Sequence, residues 1–179
     1  MRPARSDEYE EAGRVTALAY REFAGPEEDW RRYLDRIADV ADRVQRTLVL
    51  VAVDDGRVLG TVTLELDERT EPAEDDESQT PLPSHEAHVR MLGVSPEARG
   101  RGIGRRLMEA AIAEARARGK TIVTLNTTRP MRAAQRMYES MGFQRDEDRV
   151  FDDGFVLMSY RLPLPADGGA ETAESRRNE

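Results

Sequence analysis

Cysteine is absent from this 179-residue chain, which excludes disulfides, thiolate metal sites and any mechanism that passes an acyl group through an enzyme thiol. Lysine is almost absent, because Lys120 stands alone among 27 basic residues. The arginine bias matches a GC-rich coding sequence and carries no functional signal. Nowhere do about 18 apolar residues run together, and the opening MRPARSDEYEEAG lacks the apolar stretch of a secretion signal. A cytosolic protein with no membrane contact is expected. Positive charge is in deficit, with 35 acidic residues against 27 basic ones and a net charge of -8. That balance disfavours non-specific attraction to nucleic acid or anionic lipid.

What is present is enough apolar sequence for one domain. Residues 2–5 read as a short strand, and Asp7 and Glu10 have capping-box spacing before apolar positions at Ala12, Val15, Ala19 and Phe23. Gly25-Pro26 ends that helix, and Trp30, Tyr33, Leu34, Ile37, Ala41 and Val44 recur at the spacing of a second. Leu48–Val53, the turn Asp54-Asp55-Gly56 and Val58–Leu66 make a β-hairpin. The proline-containing, acidic stretch 67–84 reads as a solvated loop. Ala87–Val94 has the length of a buried central strand, and Ser95-Pro96 stops it. Ile103, Leu107, Ala111, Ile112 and Ala115 mark a third helix closed by Gly119, and Thr121–Leu125 is a β-branched strand. Ala133, Ala134, Met137 and Met141 line a fourth helix stopped by Gly142, and Phe155–Leu162 alternates as a last strand. Residues 163–179 read as a disordered tail. This alternation predicts a single α/β domain over residues 1–162, with a mixed sheet and helices on both faces.

Arg99-Gly100-Arg101-Gly102-Ile103-Gly104 lies between the expected central strand and the third helix. A helix N-terminus offers unpaired N–H groups and partial positive charge, and glycines let a phosphate approach the backbone. Arg99, Arg101, Arg105 and Arg106 concentrate positive charge there in an otherwise acidic chain. Together these features favour a pyrophosphate. A dinucleotide fingerprint fits less well, since the third glycine comes one position early, and the Gly-Lys-Ser/Thr of a P-loop is missing.

Arg99-x-x-Gly102-x-Gly104 resembles the Q/R-x-x-G-x-G/A coenzyme A loop of GNAT N-acetyltransferases, in particular their bacterial small-domain members. VRMLGVSPEARGRGIGRRLMEAAIAEARARG is similar to that family's fourth strand, loop and third helix, and AAQRMYESMGF to its fourth helix with an A-x-x-x-Y-x-x-x-G-F ending. The resemblance covers about residues 2–162. It implies a mostly antiparallel mixed sheet whose fourth and fifth strands splay apart, with acetyl-CoA as co-substrate and no metal. The pantetheine arm would pair with main-chain groups of Met91, Leu92, Gly93 and Val94, and an N–H near Leu92 would face the thioester carbonyl. The pyrophosphate would lie on Arg99, Gly100, Arg101, Gly102, Ile103, Gly104 and Arg105, with Ala133 at the start of the fourth helix also against the coenzyme. Tyr138 matches the tyrosine that protonates the departing thiolate, a task suited to a phenol with a pKa near 10.

His88 aligns with a glutamate that serves some relatives as base, while Glu65, Glu86, His85 and ordered water compete for that role. His85 and His88 do not make a metal pair, since three residues apart on a strand they face opposite ways. The family often places asparagine seven residues before the tyrosine. Here Met131 stands in that position, and Asn126 is either a partial substitute or a strand-end turn residue. The expected reaction is acetyl transfer to a primary amine of a small molecule, in a chain that acts alone or as a homodimer. A protein N-terminus, a protein lysine and a non-catalytic acyl-CoA sensor remain the other readings. Glu27, Glu28 and Asp29, beside the usual acceptor pocket, together with the 67–84 loop, suit a cationic amine.

Overall fold

The computed structural model describes residues 1–23, 25, 28–67, 82–151 and 154–165. Glu27, most of the expected 67–84 loop and the tail beyond residue 165 lie outside them. Strand β1 (Arg2–Pro3) leads through a 3-10 turn into helices α1 (Tyr9–Arg21), α2 (Glu28–Ala38) and α3 (Val40–Arg43). Strands β2 (Leu48–Asp54), β3 (Arg57–Glu65) and β4 (Glu86–Val94) follow, then α4 (Ile103–Ala117), β5 (Ile122–Thr127) and α5 (Arg132–Ser140). Three more strands close the chain: β6 (Gln144–Arg145), β7 (Arg149–Val150) and β8 (Val156–Pro163).

The sheet order is β1-β2-β3-β4-β5-β8-β6, with β7 also paired to β8. Every pairing is antiparallel except β4 with β5, so the mixed, mostly antiparallel sheet expected from the sequence is present. Alternation along the strands sends side chains to two faces. Leu50, Val62, Leu64, Ala87, Val89, Val123 and Leu125 pack with Leu107, Met108 and Ala111 of α4 in the larger core. Val49 and Val51 on the opposite face pack with Ala12 and Val15 of α1 and Val40 of α3. The buried polar strand residues of that α1-side face are Thr61, Thr63, Glu65 and His88. Thr61 reaches α1 through a 2.7 Å hydrogen bond with the Thr16 hydroxyl.

Several boundaries differ from the sequence reading for local reasons. The helix start is capped by Arg5 and Glu8 rather than Asp7 and Glu10: the Glu8 carboxylate accepts the Arg5 N–H at 2.9 Å and pairs with Arg2. The second helix is broken at Asp39, whose carboxylate accepts the Asp42 N–H at 2.9 Å and starts α3 as a separate turn. Leu164, read as tail, is buried, and its N–H reaches the Thr121 carbonyl at 2.7 Å. The short strands β6 and β7, two residues each, gave no periodic signal at all. Lys120 is buried, and its ammonium donates to the carbonyls of Leu66 and Ser84.

One glycine fixes how α1 meets α2. A Cβ built on Gly13 would lie 1.9 Å from the Ala38 carbonyl oxygen, so the helices approach over a bare backbone. Gly13→Ala gains about 1 kcal/mol of helix propensity. Overpacking against backbone that cannot yield costs about 1–3 kcal/mol and should win. Urea unfolding should therefore show a less stable variant, and a stabilised variant would refute this account of the helix pair.

Candidate functional site

The sheet opens at its middle. β4 and β5 pair in parallel from Glu86↔Ile122 to Val89↔Leu125 and no further, although β4 continues to Val94 and β5 to Thr127. On its other edge β4 keeps its antiparallel partner but with a bulge. Thr61 faces Gly93 and Thr63 faces Arg90, so Met91 and Leu92 together oppose Val62. Met91 takes a left-handed φ of 51°, which turns the local main chain. Bulge and strand separation thus fall together at Met91–Val94, the segment expected to hold the pantetheine arm.

Immediately after β4 the chain makes a 3-10 turn (Pro96–Ala98) and enters the glycine loop. Gly100 (φ 76°) and Gly102 (φ 73°) are left-handed, and no heavy atom lies within 4 Å of a Cβ added at either one. Gly102 is the N-cap of α4, and the first helical bond runs from Arg106 N–H to the Gly102 carbonyl. The N–H groups of Ile103, Gly104 and Arg105 therefore belong to the helix end that has no intrahelical acceptor. Gly104 faces α5 and β4, where an added Cβ would contact Met137 Sδ and Val94 Cγ2 at 3.6 Å.

The loop arginines are engaged with protein groups. Arg99 pairs with Glu22 at 2.8 Å, Arg101 with Asp54 at 3.0 Å, and Arg105 donates to the Ser140 hydroxyl. Arg99, Arg101, Glu22 and Asp54 are solvent-exposed enough for water to weaken their pairs. The arginine positions are thus fixed near the helix end without being locked there.

Tyr138 lies in α5, buried, with its ring 5.9 Å from Phe143 and 6.1 Å from Tyr160. Burial first, then Tyr160, pushes its pKa above the ordinary value near 10, so the phenol stays protonated through the physiological range. Ala133, in the first turn of α5, is exposed. Asn126 is paired to β8, its side-chain oxygen accepting from Ser159 at 3.0 Å.

The base candidates divide by position. His88 is buried, and its Nδ1 lies 2.7 Å from Thr124 Oγ1, which donates in turn to a Glu86 carboxylate oxygen at 2.7 Å. Because the Thr124 hydroxyl has one proton, that direction makes Nδ1 the protonated ring nitrogen. Glu65 is 0% exposed and paired with Arg90 at 3.2 Å. His85 sits exposed in the turn before β4, at the end of the strand remote from the bulge. Among the described residues no group of three or more His, Asp or Glu is arranged to hold a metal ion.

Two residues on this face escaped the sequence reading. Arg90 was legible in principle, since it shares strand parity with His88. Arg43 was not, because it comes from α3, a turn that the sequence merges into a longer helix. No helix among the described residues is long and apolar enough to cross a membrane.

The chain is 47% identical over 57 residues to mycothiol acetyltransferase of Thermobispora bispora, covering 32% of this chain and 19% of that protein. It is 30% identical over 150 residues to N-acetyltransferase 8 of Mus musculus, covering 76% of this chain and 62% of that one. The match therefore spans less than two thirds of either relative. Among solved structures, yncA of Salmonella typhimurium, determined with its cofactor acetyl-CoA, superposes with a TM-score of 0.64 at 20% identity over 96% of both chains. The ribosomal-protein-S18-alanine N-acetyltransferase of Escherichia coli gives 0.65 at 20% identity, over 94% of this chain and 95% of that one. The profile of the acetyltransferase (GNAT) family matches residues 10–143, taking in the bulged strand, the glycine loop and Tyr138, and the chain belongs to that family.

Proposed function

We propose that the protein transfers acetyl from acetyl-CoA to a primary amine of a small molecule by direct attack in a ternary complex. The observation that carries this reading is the parting of β4 from β5 beside the left-handed glycine entry to α4. Coenzyme A would lay its pyrophosphate on the N–H groups of Ile103, Gly104 and Arg105, where helix-end charge and nearby guanidiniums favour an anion. Its pantetheine arm would pair with β4 between Met91 and Val94, bringing the thioester carbonyl to a main-chain N–H near Leu92. That donor stabilises the oxyanion formed on attack.

The amine nitrogen bonds to the carbonyl carbon, and the carbon–sulfur bond breaks as the tetrahedral intermediate collapses. His88, held as its Nδ1–H tautomer by Thr124 and Glu86, takes the amine proton at Nε2. Tyr138 gives its proton to the departing thiolate. A phenol raised above pH 10 is a weaker acid than a free one. It serves best where the developing thiolate sits beside it and shares its dry surroundings. The presence of Tyr138 at this position supports transfer over mere acyl-CoA sensing.

Three outcomes check this reading. Gly102→Glu places a carboxylate at the pyrophosphate site on a left-handed residue, and coenzyme A affinity measured by calorimetry should fall more than a hundredfold, about 3 kcal/mol. Glu22→Gln should act oppositely. It releases Arg99, and since an exposed pair contributes about 0.2–1 kcal/mol, coenzyme A should bind up to about fivefold more tightly at low salt. Weaker binding by this variant would show that the pair positions Arg99 rather than competing with the ligand. Tyr138→Phe keeps the ring that packs against Phe143 and Tyr160, so acetyl-CoA affinity should survive while kcat drops at least about tenfold. Full turnover with a good acceptor would remove Tyr138 from the chemistry.

A further inference from the structure

The row of side chains behind the proposed base carries charge as well as direction. His88 is 2% exposed, and its Nδ1 lies 2.7 Å from Thr124 Oγ1. Thr124 Oγ1 lies 2.7 Å from Glu86 Oε1, a length suited to a hydroxyl donating to a carboxylate. Strand register builds this row. Glu86 and His88 alternate with Ala87 on β4 and so share a face, and Thr124 is the β5 partner of His88. After the next pair, Val89 with Leu125, the strands separate. The row therefore stands at the root of the opening.

Its direction and its charge come from different residues. A carboxylate has no proton to give, so Thr124 donates to Glu86 and accepts from Nδ1. The lone pair of the neutral ring is then at Nε2. Burial opposes the imidazolium that forms when the base takes a proton, and a nearby anion favours it. Several charged groups surround the ring: Glu65, its partner on β3, Arg90 further along β4, and Arg161 of β8 beside Thr124, paired with Asp146 at 3.9 Å. Tyr20 of α1 and Arg43 of α3 are electrostatic neighbours of Arg90. Glu86 reaches the ring through a single hydroxyl.

We infer that Thr124 and Glu86 are positioning residues of the transfer reaction with separable tasks. Thr124 selects which ring nitrogen takes the amine proton, and Glu86 stabilises the imidazolium through the Thr124 hydroxyl. This rests on the acetyl-transfer reading with His88 as base. The amine proton passes to Nε2 while the Nδ1 proton stays on the ring, and Thr124 and Glu86 keep their own protonation. Both residues act through His88, and neither is assigned a bond to the acetyl group or the amine.

The test reads the ring first and turnover second. The chain has two histidines, so in NMR of full-length protein carrying isotope-labelled histidine the His88 signals are identified by comparison with His85→Gln. Above its titration midpoint His88 should be protonated at Nδ1. Thr124→Val removes the acceptor and should raise the Nε2–H form, whereas Thr124→Ser should keep the wild-type tautomer. Glu86→Gln keeps a side-chain oxygen for Thr124 without the charge, and should lower the His88 midpoint by about half a pH unit or more. In turnover, Thr124→Val should lower kcat/KM for the acceptor amine about tenfold or more with acetyl-CoA affinity retained, and Thr124→Ser should restore it. The acid limb of kcat should move to lower pH in Glu86→Gln, following the ring. A wild-type ring protonated at Nε2, a tautomer indifferent to Thr124→Val, or a midpoint indifferent to Glu86→Gln would each overturn the inference. So would full kcat/KM in Thr124→Val. An acid limb that stays in place while the ring midpoint moves would remove His88 from the chemistry, and the positioning role with it. The expected ring behaviour in a protein that acetylates no amine would sink the transfer reading and leave the hydrogen-bonded row standing. Should Thr124→Val fail to fold, the wild-type tautomer and Glu86→Gln decide.

Discussion

A sheet must satisfy its backbone hydrogen-bonding groups, and this protein is organised around the place where two central strands stop doing so for each other. Beyond Val89 and Leu125, β4 and β5 separate inside a sheet that is otherwise paired from β1 to β6. Buried N–H and C=O groups require partners, so such an opening suits a ligand that brings its own amides. The bulge at Met91–Leu92 turns the β4 main chain at the same level. Around this opening, α4 and α5 close one face, and α1 with α2 covers the other.

Electrostatics then divide the molecule into unlike regions. The chain is acidic as a whole, but its glycine loop gathers arginines at a helix N-terminus, where an anion gains from charge and from unpaired N–H groups together. Glu22 and Asp54 hold Arg99 and Arg101 in their exposed pairs. Because such pairs are weak in water, they keep the arginines nearby at little cost to ligand binding. The buried charge of Arg43 is different in kind, because its guanidinium is withdrawn from water and holds the Ile37 carbonyl through Nη1.

The proposed acid and base occupy contrasting settings. Tyr138 lies among aromatic rings, where burial holds the proton on oxygen. His88 lies in a polar chain with Thr124 and Glu86, where hydrogen-bond direction fixes the tautomer. Each is oriented by neighbours from a different strand or helix, so a shift of β5 or α5 would disturb one without the other.

The glycine loop was legible in the sequence, because Gly100 and Gly102 are needed for φ values that other residues resist, and such a need is written in single positions. The helix faces of α1 and α4 and the strand β4 were legible for a related reason, since burial on one side imposes a period. Met91 could not be read that way, because a bulge depends on how β3 pairs with β4 and leaves no mark on either strand alone. Nor could the break at Asp39, where a local side-chain cap overrode a helical pattern that runs through it. Glu28 and Asp29 are exposed on α2 and pair with Arg32, an arrangement set by helical spacing. Arg90 and Glu65 come from β4 and β3 and pair only when the sheet is folded. Sequence by itself determined most of the helices and strands and the left-handed glycine turn, since those choices are local. Which charges share one buried space was decided by tertiary structure alone, because burial and pairing belong to residues distant in the chain.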